Sequence, residues 1–86
     1  MDSKVEDLMQ MSKKFFEKGK YISISRETPS SPEGYFELYN KDCVVCIDYF
    51  KSKLNLTLGG GREYRDFEKY TITQDENCNL HITEFI

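Results

Sequence analysis

The sequence predicts an α+β fold in which one amphipathic N-terminal helix packs on one face of a five- to six-stranded antiparallel sheet. The hydrophobic spacing is helical over residues 3–18 and changes to strict alternation after Gly19. Short runs of turn-forming residues separate the alternating segments, and strands joined by short turns form antiparallel hairpins, in the simplest case a meander. A chain of 86 residues has room for one core, so residues 1–86 are predicted to form a single α+β domain.

The helix is predicted from Ser3 to Lys18. Ser3 and Glu6 have the spacing of a capping box, in which the hydroxyl and the carboxylate each bind a free backbone N–H of the first turn. Gly19 follows the last helical residue and suits a C-terminal cap. The residues predicted to share the buried stripe are Val5, Leu8, Met9, Ser12, Phe15 and Phe16.

Strands are predicted wherever apolar and polar residues alternate between turn signals. Residues 62–69 are compatible with either a helical turn or a strand. The segment from Cys43 to Phe50 is apolar on both faces, which predicts a central strand with Val45 and Ile47 buried. The remaining predicted strands are Tyr21–Arg26, Tyr35–Tyr39, Lys53–Leu58, Tyr70–Thr73 and Leu80–Ile86.

Composition and charge argue against several classes of function. The net charge is −3, and nucleic-acid binders carry basic patches, so neither DNA nor RNA is an expected partner. An anionic membrane surface is disfavoured for the same reason, and no apolar run is long enough for a signal peptide or a membrane span. Three cysteines without a secretory signal are expected to be reduced thiols, so we expect a cytoplasmic protein.

Two short motifs contain all the cysteines and the single histidine. Cys43 and Cys46 form a CxxC, and Cys78 and His81 form a CxxH, which together are the ligand inventory of a Cys₃His zinc site. However, positions three apart on a strand face opposite sides, so the first pair should diverge. We therefore expect no metal and no cofactor, and a small zinc-stabilised domain is the alternative.

The same geometry disfavours catalysis. Cys78 and His81 could act as nucleophile and general base, but three positions along a strand separate them onto opposite faces. The CxxC lacks the helix N-terminus that activates a redox cysteine, because Cys43 opens a strand. No catalytic residue is predicted, and a minor enzyme using Cys78 and His81 is the second alternative.

The strongest functional signal is the sheet face that one helix cannot cover. Five or six strands span roughly 25 Å, whereas a helix is about 10 Å across, so apolar and aromatic side chains should remain exposed. We expect a non-catalytic binding protein whose aromatic anchors and acidic groups contact another protein, with a basic surface as the best match and a homodimer as a further possibility. The residues predicted to bind the partner are Tyr35, Glu37, Tyr39, Asp48, Phe50, Asp75 and Glu76.

This face assignment places a second set of residues against the helix. It turns alternate positions of each strand inward, so that the two sets separate cleanly across the sheet. The residues predicted to point inward are Ile22, Ile24, Phe36, Leu38, Val45, Ile47, Leu54, Leu56, Leu58, Ile72, Leu80 and Ile82.

Part of the chain resembles the small bacterial immunity proteins of polymorphic toxin systems. The resemblance lies in Tyr21-Ile22-Ser23-Ile24-Ser25-Arg26, a polar loop, Tyr35-Phe36-Glu37-Leu38-Tyr39, and alternating strands that run to Lys69-Tyr70. It implies a non-enzymatic inhibitor that binds and neutralises its toxin. Phage-encoded inhibitors of host defence share the same profile of a short, acidic α+β chain without an active site.

Overall fold

The computed structural model describes residues 3–32, 34–59 and 63–86, and the side chains of Val44 and Val45 lie outside that description. The fold is α+β, as predicted, and begins with the N-terminal helix. The prediction of one sheet is wrong, because the strands form one sheet of four and one of three. The elements are α1 (Ser3–Lys18), β1 (Tyr21–Glu27), β2 (Phe36–Asn40), a 3₁₀ turn (Lys41–Cys43), β3 (Val44–Phe50), β4 (Lys53–Leu58), β5 (Glu63–Phe67), β6 (Tyr70–Gln74) and β7 (Leu80–Phe85).

Helix α1 has the predicted bounds but a narrower buried stripe. Leu8 and Phe15 are buried, whereas Met9 and Phe16 remain exposed. The helix ends where Gly19 N donates to Phe15 O at 2.8 Å, and a Cβ at Gly19 would collide with the Phe15 ring and the Cys78 carbonyl. Glycine is therefore required at this close approach between the helix end and the β6–β7 turn. Among the described residues, no helix is long and apolar enough to cross a membrane.

The four-stranded sheet has the order β2-β1-β7-β6. The β1–β2 and β6–β7 pairs are antiparallel, but β1 and β7 are parallel, with Ile22 opposite Leu80 and Ile24 opposite Ile82. A fully antiparallel meander is therefore the wrong topology. The two central strands come from opposite ends of the chain, and everything between them forms the crossover that a parallel pair requires.

The three-stranded sheet is an antiparallel meander in the order β3-β4-β5. Its central strand is β4, whose Leu54, Leu56 and Leu58 are fully buried. The predicted central strand, β3, is instead at an edge, and Ile47 is only partly buried. The predicted burial of Val45 lies outside the described residues.

The core lies between the two sheets, and α1 closes one side of it. Leu8 lines one cleft with Tyr70 and Ile72 of β6 and another with Ile47 and Tyr49 of β3. The helix therefore covers the seam between the sheets rather than the face of one sheet. The buried apolar residues are Leu8, Phe15, Ile22, Ile24, Leu54, Leu56, Leu58, Phe67, Tyr70, Leu80 and Ile82.

Candidate functional site

The side of the four-stranded sheet that faces away from the core is an uncovered surface, which we call the open face. Residues opposite each other in a register share a face. One row of such residues crosses all four strands, from Leu38 through Ser23 and His81 to Thr73. The open face consists of Tyr21, Ser23, Ser25 and Glu27 of β1, Phe36, Leu38 and Asn40 of β2, His81, Thr83 and Phe85 of β7, and Thr71 and Thr73 of β6.

Three large apolar side chains are exposed on the open face. Phe36 is 60%, Leu38 55% and Phe85 38% accessible to solvent. The prediction that Phe36 and Leu38 point into the core is wrong. Alternation in β2 defines two faces but does not say which is inside. The buried Ile22 and Ile24 of β1 lie opposite Tyr39 and Glu37, so it is Glu37 and Tyr39 that face inward.

A chain of hydrogen bonds crosses the open face from Ser23 through His81 to Asp75. Ser23 Oγ lies 2.7 Å from His81 Nδ1, and His81 Nε2 lies 2.9 Å from Asp75 Oδ2. A carboxylate only accepts, so in neutral imidazole Nε2 carries the hydrogen and Nδ1 accepts from the serine hydroxyl. The parallel pairing of β1 with β7 creates this contact between residues 58 positions apart.

Asp75 also holds the turn between β6 and β7. Its Oδ1 accepts from the backbone N–H groups of Asn77 at 2.9 Å and Asn79 at 3.0 Å. The hydrogen bond from His81, followed by these backbone bonds, holds the pKa of the Asp75 carboxyl below its usual value even though partial burial opposes the shift. Asn79 Oδ1 in turn accepts from Lys20 N at 2.8 Å, so the turn is bound to the start of β1.

Ser23, His81 and Asp75 match the nucleophile, base and orienting carboxylate of a hydrolytic triad. Hydrolysis also needs an oxyanion hole, and the backbone around Ser23 does not supply one. Ser23 is 8% exposed, and β1 is paired on both sides. The backbone N–H groups of β1 around Ser23 are therefore used within the sheet and cannot stabilise an oxyanion. Both ring nitrogens of His81 are engaged by Ser23 and Asp75, which leaves neither one for Cys78.

Two of the predicted partner-binding residues, Glu37 and Tyr39, lie where β2 and β5, edge strands of the two sheets, contact each other; we call this contact the β2–β5 seam, and it is distinct from the side that α1 covers. Tyr39 Oη donates to Glu37 Oε2 at 2.8 Å, Arg65 Nη2 donates to Tyr39 Oη at 3.0 Å, and Arg65 forms an ion pair with Glu37. Burial, followed by the bond to Glu37, raises the pKa of Tyr39 to about 12. Burial also opposes ionisation of Glu37, but hydrogen bonds from Tyr35 and Tyr39 together with the Arg65 charge outweigh it and lower the pKa of Glu37.

The other predicted binding residues lie in different places. Asp48 and Phe50 are on the outer face of the three-stranded sheet, where Asp48 accepts from Cys46 Sγ at 2.7 Å, a bond that raises the Cys46 pKa. Asp75 and Glu76 are in the β6–β7 turn. Tyr35 precedes β2, is exposed, and hydrogen-bonds to Glu37, so it belongs with Glu37 and Tyr39. The structure therefore distributes the predicted set over three regions instead of one surface.

The four candidate metal ligands are also separated. Cys46 is on the outer face of the three-stranded sheet, and His81 is on the open face of the other sheet. Cys43 ends the 3₁₀ turn and is exposed, while Cys78 is in the β6–β7 turn. Within residues 3–32, 34–59 and 63–86, no three His, Cys, Asp or Glu side chains are placed to hold a metal ion.

The sequence predicts an uncovered sheet face but places the wrong side of β2 on it, and it does not reveal the Ser23–His81–Asp75 chain. Ser23 and Asp75 belong to different predicted hairpins, and no local pattern links them. Comparison with protein-family models, with curated proteins and with solved structures finds no match for this chain.

Proposed function

We propose that this protein is a non-catalytic protein-binding module that contacts its partner through the open face. The observation that carries the proposal is the composition of that face. Among the described residues that form it, the face has no Lys or Arg, and its carboxylates are Glu27 at the end of β1 and Asp75 beside His81, while Phe36, Leu38 and Phe85 are exposed. Depletion of charge together with enrichment in aromatic residues is typical of the centre of a protein interface.

The polar groups of β1 and β7 at the centre of the open face are already paired. Ser25 Oγ lies 3.1 Å from Thr83 Oγ1, next to the Ser23–His81 bond. Groups that keep these partners when water leaves are cheaper to bury than groups that lose a hydrogen bond. The face therefore combines exposed apolar area with a low desolvation cost, as a binding surface requires.

The resemblance to immunity proteins supports inhibition of the bound partner as the form of this function. The choice of a basic partner has weaker support. Glu27 and Asp75 are the acidic groups on the open face, but Lys18 and Lys20 line the same cleft as Glu76 beside the β6–β7 turn. Because the charge at that end is mixed, we propose that apolar contact at β2 and β7 provides most of the affinity and that charge steers the encounter.

The test compares two phenylalanines with matched exposure. Phe36 on the open face is 60% exposed, and Phe50 on the outer face of the other sheet is 62% exposed. The full chain is immobilised, and proteins retained from an extract of the source organism are quantified by mass spectrometry. Phe36→Ala should reduce partner retention by roughly thirtyfold, equivalent to about 2 kcal/mol at an anchor position. Phe50→Ala should leave retention unchanged, and the reverse result would overturn the open-face proposal.

One observation favours a second candidate, hydrolysis of an ester with Ser23 as nucleophile. His81 Nδ1 would take the Ser23 proton as Oγ attacks the acyl carbon, the alcohol would leave with that proton, and water would release the acid. The engaged N–H groups of β1 place this candidate second. Release of nitrophenol from p-nitrophenyl acetate that disappears in Ser23→Ala would establish it, and equal rates for the two proteins would exclude it.

A further inference from the structure

The edge of β2 that faces away from β1 pairs with no other described strand, and this free edge differs from the other sheet edges. Strands β3 and β6 flank helix α1 along their edges. Strand β5 is protected by charge, because Glu63, Arg65 and Asp66 are three of its five residues. Strand β2 has the sequence Phe-Glu-Leu-Tyr-Asn, with one charged residue and no proline, and such an edge can accept another strand.

The ladder between β1 and β2 shows which backbone groups of β2 point to this edge. Arg26 N donates to Tyr35 O at 2.9 Å, and Lys41 N donates to Lys20 O at 2.7 Å. Hydrogen-bonded pairs recur every second residue in an antiparallel ladder, so the residues between these pairs that also bond to β1 are Glu37 and Tyr39. The N–H and C=O groups of Phe36, Leu38 and Asn40 therefore point away from β1, toward the free edge.

We infer that two copies of this chain pair through β2, antiparallel, about a two-fold axis at Leu38. This register places Leu38 opposite Leu38 of the second copy and Phe36 opposite Asn40. Each of these pairs exchanges both backbone bonds, so all the edge-facing groups of β2 are satisfied at once. The result is a continuous sheet formed from both four-stranded sheets.

Side-chain complementarity selects a second copy as the occupant. On the outer side, Leu38 meets Leu38, next to the exposed Phe36 side chains. On the inner side, the register sets Glu37 opposite Tyr39 of the second copy, so the one charge of the strand never faces its like. A two-fold axis at Glu37 would instead oppose two carboxylates, so the sequence of β2 favours the register at Leu38.

The dimer is expected to be reversible, because a five-residue edge buries an area at the low end for specific complexes, below about 1,200 Å². It leaves the open face exposed and joins two copies of it into one surface. The inference is independent of the proposed function: a monomeric protein could still bind a partner, and a dimer could still have none.

The test is sedimentation equilibrium of the full chain over concentrations from about 10 μM to about 1 mM, the range in which small interfaces associate. The wild-type mass should rise toward twice the monomer mass. Leu38→Pro removes one edge-facing N–H without touching the bonds to β1, and it should remain monomeric with an unchanged circular dichroism spectrum. If that variant does not fold, Leu38→Lys decides, because it places two charges opposite each other at the axis. Phe50→Lys is the matched surface control and should dimerise like the wild type.

Amide hydrogen exchange reports the register. The amides of Phe36, Leu38 and Asn40 should become protected as concentration rises, while the protection of Glu37 and Tyr39 should not change. A wild-type protein that stays monomeric throughout the range would overturn the inference. A dimer that persists in Leu38→Lys, or that protects other amides, would overturn it equally.

Discussion

On the outer face of the three-stranded sheet, Tyr64 donates to Asn55, but Lys53 pairs as an ion, with Nζ 2.9 Å from Glu68 and 3.8 Å from Asp66. On the open face of the four-stranded sheet, polar side chains pair mainly as neutral groups, through Ser25 with Thr83 and Ser23 with His81. Both faces belong to sheets that pack on the same core. Core packing therefore does not explain why the polar groups of the two faces pair differently. The consequence of that difference is how strongly each face binds water.

A partner that covers charged groups must remove their strongly bound water, which costs much free energy. Covering paired hydroxyls and exposed aromatic side chains costs less. The comparison between the faces thus separates a solvated surface from a surface suited to binding. It also explains why Phe50, a predicted anchor, lies in a less favourable setting than Phe36 although both are equally exposed.

Placing one lysine on each face should produce the largest difference. Thr73→Lys sets a charge beside His81 on the open face, and Thr57→Lys sets the same charge on the outer face of the other sheet. An unpaired charge buried in an interface costs several kcal/mol, so Thr73→Lys should abolish partner retention by the immobilised chain. Thr57→Lys should retain the partner fully. Equal retention by both variants would remove the distinction between the faces.

Removing the ion pair at the β2–β5 seam should produce the next largest effect. The Arg65 and Glu37 side chains are only 22% and 16% exposed, so Arg65→Leu leaves a largely covered carboxylate without its cation. We expect the free energy of unfolding to fall by about 2 kcal/mol, measured by urea denaturation. Arg65→Lys keeps the charge but loses the planar guanidinium group, so its free energy of unfolding should lie between those of the wild type and Arg65→Leu. An unchanged midpoint for Arg65→Leu would show that the sheets do not depend on this contact.

Acid should weaken the protein through Glu37 and Asp75. The folded-state pKa of each is lowered, from usual values of 4.5 and 3.8, so each stabilises the fold above its unfolded pKa and loses that contribution as the pH falls through its folded value. The thermal midpoint should therefore decrease below about pH 4.5. The thermal midpoint of Asp75→Asn should decrease less steeply than that of the wild type over the same pH range. Parallel curves would mean that other groups cause the loss of stability in acid.

The smallest effect is expected for the ion pairs on the outer face of the three-stranded sheet. The Lys53 side chain is 41% exposed and Glu68 is 71% exposed, so solvent screens their attraction. Lys53→Ala should leave the thermal midpoint and partner retention within experimental error. A clear loss of either would mean that this face contributes more than its exposure indicates.

The sequence by itself determined where the elements are. Helix α1 and strand β4 have the predicted bounds, and β1, β2, β3, β6 and β7 differ from the prediction by one residue at one or both ends. These features depend on neighbours in the chain, such as the helical spacing of Leu8 and Phe15, the glycine at position 19 and the alternation of leucines in β4. Each is a local preference that the fold did not override.

The tertiary structure alone decided the parallel pairing of β1 with β7, the division into two sheets and which side of β2 is inside. Strand β2 alternates between two faces that both carry large side chains, so its periodicity does not choose between Phe36 and Tyr39. That choice follows from the register with β1 and from Arg65 on a strand distant in the chain. The parallel contact of β1 with β7 likewise brings Ser23 to His81. Long-range pairing of this kind depends on the packing of the whole core, and alternation specifies the buried face only where one side of the strand is clearly more apolar, which is not the case in β2.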